Sequence, residues 1–190
     1  MEIFIESKRK KLETIKNIHD NSVLIDVTSR GKKPWVKFSP FYPHGNIPVV
    51  FSPGYFSASV EGIWQGLKVF ETKDIDIGKF YLSNMRGIKR TEKKYGKILG
   101  HRKGVTGTHL LNYYEARKLI YIPTYLWVLD TFLKAEINEL KNINKDSHII
   151  FLDYETNFDE KNLTKPLSHA SLIKRFINND IYAEISPLHR

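Results

Sequence analysis

The chain has no cysteine in its 190 residues, which excludes disulfides and thiol chemistry. It has no apolar run near the roughly 20 residues a membrane-spanning helix needs. Its N-terminus also lacks the apolar core of a signal peptide, since Lys8-Arg9-Lys10-Lys11 is followed by mixed charged sequence. A cytoplasmic protein without membrane contact is therefore expected. None of the seven histidines falls in H-x-x-x-H or H-E-x-x-H spacing, so no metal is expected. A nucleophile elbow, repeats and low-complexity linkers are missing too. Acidic residues are the minority, 21 against 30 Lys and Arg, and the net charge of +9 favours an anionic partner.

The hydrophobic share of 41% suffices for a core, and the length fits one globular domain over residues 1–190 with its core at about 20–180. Residues 2–19 read as a peripheral, charged amphipathic helix and Ser22 to Thr28 as a short buried strand. From Ser29 to Ser57, Pro and Gly interrupt regular structure repeatedly, and such a long loop is expected to be either functional or packed by its own aromatics, with Phe38 turned inward. His109 to Tyr121 has helical spacing. Pro123 opens a second helix running to Leu140, His148 to Tyr154 reads as a strand, and Pro166 to Ile177 as a final helix. Strands set among about six helices predict an α+β fold, a mostly helical single domain with a small sheet.

Ser59 to Glu71 is the most telling stretch. Taken as one helix, it places Val60, Ile63, Trp64, Leu67 and Phe70 in one apolar stripe and Gly62 with Gly66 on another side, where a neighbouring backbone can approach. Glu61, Gln65 and Lys68 share what remains. A helix with so little polar surface is buried, so this polar trio is expected to face a cleft. On a continuous helix Glu61 and Lys68 lie about 10.5 Å apart along the axis, with Gln65 between them.

Positive charge concentrates between Arg86 and Lys103. Eight basic residues (Arg86, Lys89, Arg90, Lys93, Lys94, Lys97, Arg102, Lys103) meet one acid, Glu92. Arg86, Lys89 or Arg90, Lys93 and Lys97 recur at helical spacing, giving either a phosphate-facing surface or a solvated helix face. Gly100-His101-Arg102-Lys103-Gly104 reads as a flexible cationic loop without a recognised phosphate-binding motif. His44 and His101 titrate near neutral pH in the ordinary case. Asp153 and Glu155 end the late strand, either as a paired-carboxylate site or on one solvent face.

Phe38-Ser39-Pro40-Phe41-Tyr42-Pro43, followed by Ser59-Val60-Glu61, Gln65 and Lys68, resembles the opening of the NADAR (YbiA-like) domains, in which an aromatic segment precedes a helix of the form S-E-h-x-x-Q-x-x-K. The resemblance covers residues 38–71. This chain has Gly62 where that family usually has His, and it lacks the family's C-terminal Asn-Asp and Trp-Gly segment. Strings around Asp26 to Gly31, Phe38 to Ile47 and Gly100 to Arg102 also resemble an uncharacterised bacterial and phage family.

The NADAR resemblance implies a YbiA-like fold and cleavage of an N-glycosidic bond, in ADP-ribosylated guanine or a ribosyl-phosphate nucleotide, without a metal or organic cofactor. It implies Lys68 as nucleophile, with Glu61 as general acid or base. Gln65 and Trp64 then line the site, Trp64 desolvating the amine. Phe41 or Tyr42 stacks on a nucleobase, while Arg30, His101, Arg102 and the basic segment hold the anionic substrate. The alternative is a non-catalytic nucleotide-binding protein using the same pocket, or one holding DNA or RNA on its basic face. An interaction protein of phage or host defence is a third reading.

Overall fold

A computed structural model describes residues 1–180. They form an α+β protein of helices and small sheets, in the order β1 (Ile3–Ser7), α1 (Leu12–Ile18), β2 (Ser22–Asp26), β3 (Ile47–Pro48), β4 (Phe56–Ser57), α2 (Val60–Gly66), β5 (Lys68–Phe70), α3 (Glu92–Tyr95), β6 (Ile98–Arg102), β7 (Leu110–Leu111), α4 (Tyr113–Ala116), α5 (Ile122–Phe132), α6 (Lys134–Asp146), β8 (His148–Asp153) and α7 (His169–Ile177). The described residues divide into two compact units, one of Met1–Ser39 with residues 129–180, the other of Pro40–Val128. Residues 181–190, part of the single-domain expectation, lie outside the described residues. Among the described residues no helix is long and apolar enough to cross a membrane.

The first unit is built on a parallel sheet in the order β1-β8-β2. Its central strand is His-Ile-Ile-Phe-Leu-Asp, with Ile149, Ile150 and Phe151 all fully buried. Successive side chains point to opposite faces, so this continuous apolar run means that both faces are covered. Ile15 of α1 packs with Ile150, Leu152, Phe4 and Leu24 on one of them. The expected helix over 2–19 is thereby corrected. Ile3-Phe4-Ile5 is β-branched and aromatic, and pairing with β8 makes it a strand, leaving only Leu12–Ile18 helical. The helix expected from Pro123 to Leu140 is likewise two helices, broken at Leu133 with φ −117° and ψ 20°.

In the second unit, β5-β6-β7 form an antiparallel sheet and β3-β4 a short hairpin. Ser59 caps α2, its side chain accepting from the Gly62 N–H at 3.0 Å. The helix does not continue to Glu71 as its periodicity suggests. Gly66 ends it, and Lys68-Val69-Phe70 pairs with β6 in the register Lys68↔His101.

Two further expectations fail in this unit. The basic helix from Arg86 to Lys97 does not form: the positive φ of Met85, Gly87 and Gly96 confines helix to the single turn of α3. The expected cationic loop at Gly100 to Gly104 is for the most part strand β6. His109 to Tyr121 begins as β7, passes through α4 and enters a π turn, Arg117–Tyr121. That wider turn precedes Pro123, whose ring would otherwise meet a carbonyl of the preceding turn.

Candidate functional site

The two glycines of α2 do what their spacing implies. A Cβ on Gly66 would lie 2.3 Å from Phe80 Cε1, and one on Gly62 would lie 2.8 Å from the Lys79 carbonyl oxygen. A 3-10 turn, Ile77–Tyr81, occupies that side, tied down by Asp76 N–H to Gly66 O at 2.8 Å and Ala58 N–H to Phe80 O at 2.6 Å. Val60, Ile63 and Leu67 fill the apolar side. Glu61, Gln65 and Lys68 therefore have little water available, and each is buried.

Their side chains form one hydrogen-bonded line. Gln65 Nε2 donates to Glu61 Oε1 at 2.9 Å, and Lys68 Nζ donates to Gln65 Oε1 at 3.3 Å. The Arg90 backbone N–H donates to the same Gln65 Oε1 at 2.9 Å, which fixes the amide with its oxygen toward the two donors and its nitrogen toward the carboxylate. Lys68 begins a strand instead of extending the helix, and its amine still reaches the Gln65 amide. Burial lowers the Lys68 pKa; the Glu61 carboxylate opposes that shift, and the Arg90 and Lys89 charges add to it.

Aromatic groups complete the surroundings. The Lys68 ammonium lies 5.8 Å from the Trp64 ring centroid, and the same indole meets His101 at 3.8 Å, Tyr121 at 5.6 Å and Tyr113 at 6.0 Å. Tyr113 and Tyr121, which hydrophobic spacing marks only as helix, supply this wall. His101, directly across the β5–β6 ladder from Lys68, is 1% exposed. Neither of its ring nitrogens has a partner in good geometry among the described residues. Burial, together with the charge of Lys68, lowers its pKa to about 3; the Trp64 backbone favours the protonated ring only weakly. The ring is a neutral imidazole at physiological pH, not the near-neutral titrating group expected of an ordinary histidine.

Of the other expected site residues, Phe41 and Tyr42 follow Pro40, whose carbonyl accepts the Glu61 N–H at 2.9 Å; the Lys89 ammonium caps the Phe41 ring at 5.5 Å, and Tyr42 tilts against His44 at 4.8 Å. Arg102 is held by Asp74, one guanidinium nitrogen 2.6 Å from each carboxylate oxygen. Arg30 belongs to the other unit and is exposed. Asp153 and Glu155 are not a paired-carboxylate site. Asp153 is buried, accepting from Ser168 Oγ at 2.8 Å and lying 3.1 Å from His169 Nδ1, whereas Glu155 pairs with Arg9.

Sequence reasoning missed Arg90 most completely. It counts as one charge of a basic surface, yet it is 4% exposed. Its Nη1 donates to the Lys68 and Gln65 carbonyls at 2.6 and 3.2 Å, and its Nη2 donates to the Asp74 carbonyl at 2.7 Å. Nothing in the charge run distinguishes it from its neighbours.

The arrangement can hold a buried amine, a carboxylate and an aromatic wall in one place. The chain belongs to the family of unknown function DUF6939, whose model matches residues 7–173. No curated protein matches the chain.

Proposed function

We propose that the chain is a NADAR-type hydrolase with a YbiA-like fold, cleaving the N-glycosidic bond of an ADP-ribosylated guanine or a related ribosyl-phosphate nucleotide in the cytoplasm. The observation that carries this reading is the line Glu61–Gln65–Lys68, which brings a buried amine of lowered pKa into contact, through one amide, with a carboxylate. A lone pair on Lys68 Nζ forms a bond to C1′ as the C1′–N bond breaks. The departing electron pair goes to the base, which takes from Glu61 the proton that the Lys68 ammonium gave up to its carboxylate on becoming a free amine. Loss of the amine proton and opening of the C1′–O4′ bond give an imine, with O4′ taking up a proton. Water adds at C1′, and departure of the amine restores Lys68 and leaves the free sugar. The step uses no metal or organic cofactor.

Gly62, where the resemblance calls for His, is closed to any side chain by Ser57 Oγ and the Lys79 carbonyl. No imidazole enters the reaction from that position. Arg102 meets substrate phosphate only by exchanging it for the exposed Asp74 carboxylate.

A second reading, nucleotide or nucleic-acid binding without turnover, is favoured by lysines set over aromatic rings, Lys89 over Phe41 and Lys103 over Phe51 at 5.5 and 5.1 Å. A turnover screen on ADP-ribosylated guanine DNA and ribosyl nucleotides separates the two. Hydrolysis by the wild type that is abolished in Lys68→Ala and slowed about 10²–10⁴-fold in Glu61→Gln supports the enzyme. Tight binding without product supports the module.

A further inference from the structure

Arg90 presents an unusual combination. It is buried, it grips three main-chain carbonyls, and it makes no ion pair with a carboxylate among the described residues. The carbonyls take the two Nη groups and leave the buried Nε without a partner among the described residues, and Asp76, Tyr95 and Asp74 act on the charge only without direct contact, so its burial remains costly. The rings of Phe70 and Tyr95, 4.9 and 5.3 Å from the guanidinium carbon, offset part of that cost. A side chain needed only to close the end of α2 would not require a permanent cation.

Two of those carbonyls belong to Gln65 and Lys68, and the Arg90 backbone N–H orients the Gln65 side chain. Arg90 thus fixes both the start of β5 and the amide that joins Lys68 to Glu61. The charged or titratable groups acting on the Lys68 amine are Glu61 from α2, Lys89 and Arg90 from the segment before α3, Glu92 of α3 and His101 of β6. Glu61 and Glu92 favour the ammonium; Arg90 and Lys89 oppose them, and His101 is neutral. An amine beside a fixed cation in a desolvated site is the arrangement that makes a lysine add to carbonyl groups.

We propose that Arg90 is the positioning residue that makes Lys68 a carbonyl-reactive amine, by holding Lys68 and Gln65 in place and by setting a fixed positive charge against the Glu61 carboxylate. This rests on the reading of Lys68 as the reacting group, and it extends that reactivity to small aldehydes in general. The amine adds to the aldehyde carbon, the oxygen leaves as water, and the resulting iminium accepts hydride from cyanoborohydride to give an alkylated lysine.

The test is reductive methylation with formaldehyde and cyanoborohydride across pH, each lysine being followed by peptide mass spectrometry. Access to Lys68 sets the amplitude, while the pH midpoint reports the amine. In the wild type the Lys68 midpoint is expected below that of the exposed lysines, because burial disfavours its ammonium. Arg90→Gln moves it up toward the exposed lysines, and Arg90→Lys, which keeps the charge, holds it down. Arg90→citrulline keeps most of the N–H donors and drops the charge; it serves if Arg90→Gln fails to fold, and is expected to raise the midpoint. A wild-type midpoint equal to that of the exposed lysines, or one unmoved when the Arg90 charge is removed, overturns the proposal. Formaldehyde is not a glycoside, so this shift is read whether or not the protein cleaves an N-glycosidic bond.

Discussion

His101 lies with its ring centroid 3.8 Å from that of Trp64 and at 32° to it, buried where neither nitrogen finds a good hydrogen bond among the described residues. Its pKa of about 3 sits below the ordinary value near 6.5. The unfolded chain therefore binds one more proton than the folded chain between those values, so this group's contribution to stability is complete above about pH 6.5 and is lost as pH falls toward 3. Between pH 7 and pH 5 the loss is about 2 kcal/mol. His101→Phe keeps the stacking and removes the proton, so its denaturation midpoint is expected to fall less than that of the wild type over the same interval. Equal losses in the two proteins would show that His101 is not held neutral.

Asp153 titrates in the opposite structural context. Burial alone raises its pKa, but His169, the Ser168 hydroxyl and the Ala170 N–H outweigh burial and lower it. Its contribution is present above the unfolded value near 3.9 and disappears as pH falls through the lower folded value. Asp153→Asn leaves His169 without its carboxylate and is expected to cost about 3 kcal/mol at neutral pH. The variant should also lose less stability than the wild type below pH 4. Urea denaturation at pH 7 and pH 3 reads both effects.

The glycine side of α2 makes a steric prediction. Gly66→Ala puts a methyl group 2.3 Å from the buried Phe80 ring, so the ring or the 3-10 turn must shift, at about 1–3 kcal/mol. Gly66→Leu is expected to cost more. An unchanged melting curve for either variant would mean that the turn does not pack as described.

How far the sequence carries this site is clearest at Lys68. Its burial beside Glu61 and Gln65 follows from the apolar and glycine positions of one local helix, and the Ser59 cap marks where that helix starts. Where it ends is not local information. Lys68-Val69-Phe70 becomes a strand because β6 lies beside it, and that pairing sets Lys68 across from His101. The same limit explains Ile3-Phe4-Ile5, whose partner strand lies near the other end of the chain. Arg90 fails for a different reason: a basic residue within a basic run carries no mark that it turns inward. Tyr121 reaches Trp64 from a π turn that hydrophobic periodicity does not signal, and Tyr113 from the start of α4 before it.

Outside Arg90, most of the basic segment faces solvent, with Lys89, Lys93 and Lys97 exposed. Replacing all three by Gln is expected to flatten the salt dependence of any nucleic-acid affinity, by roughly 0.9 in log–log slope for each duplex phosphate that is no longer neutralised. If the wild type shows no salt-dependent binding to DNA, RNA or polyphosphate, the segment is a solvated face and the binding-module reading fails with it.

The central claim is that Lys68 attacks C1′ of the substrate ribose. Adding borohydride during turnover of ADP-ribosylated guanine DNA should trap a ribosyl adduct on Lys68, identified by peptide mass spectrometry. Lys68→Ala should lose adduct and product together. Lys68→Arg should fare no better, because a guanidinium keeps the charge without an available lone pair. Full product formation by a folded Lys68→Ala would contradict the mechanism and leave Glu61, Gln65 and Lys68 as a binding site.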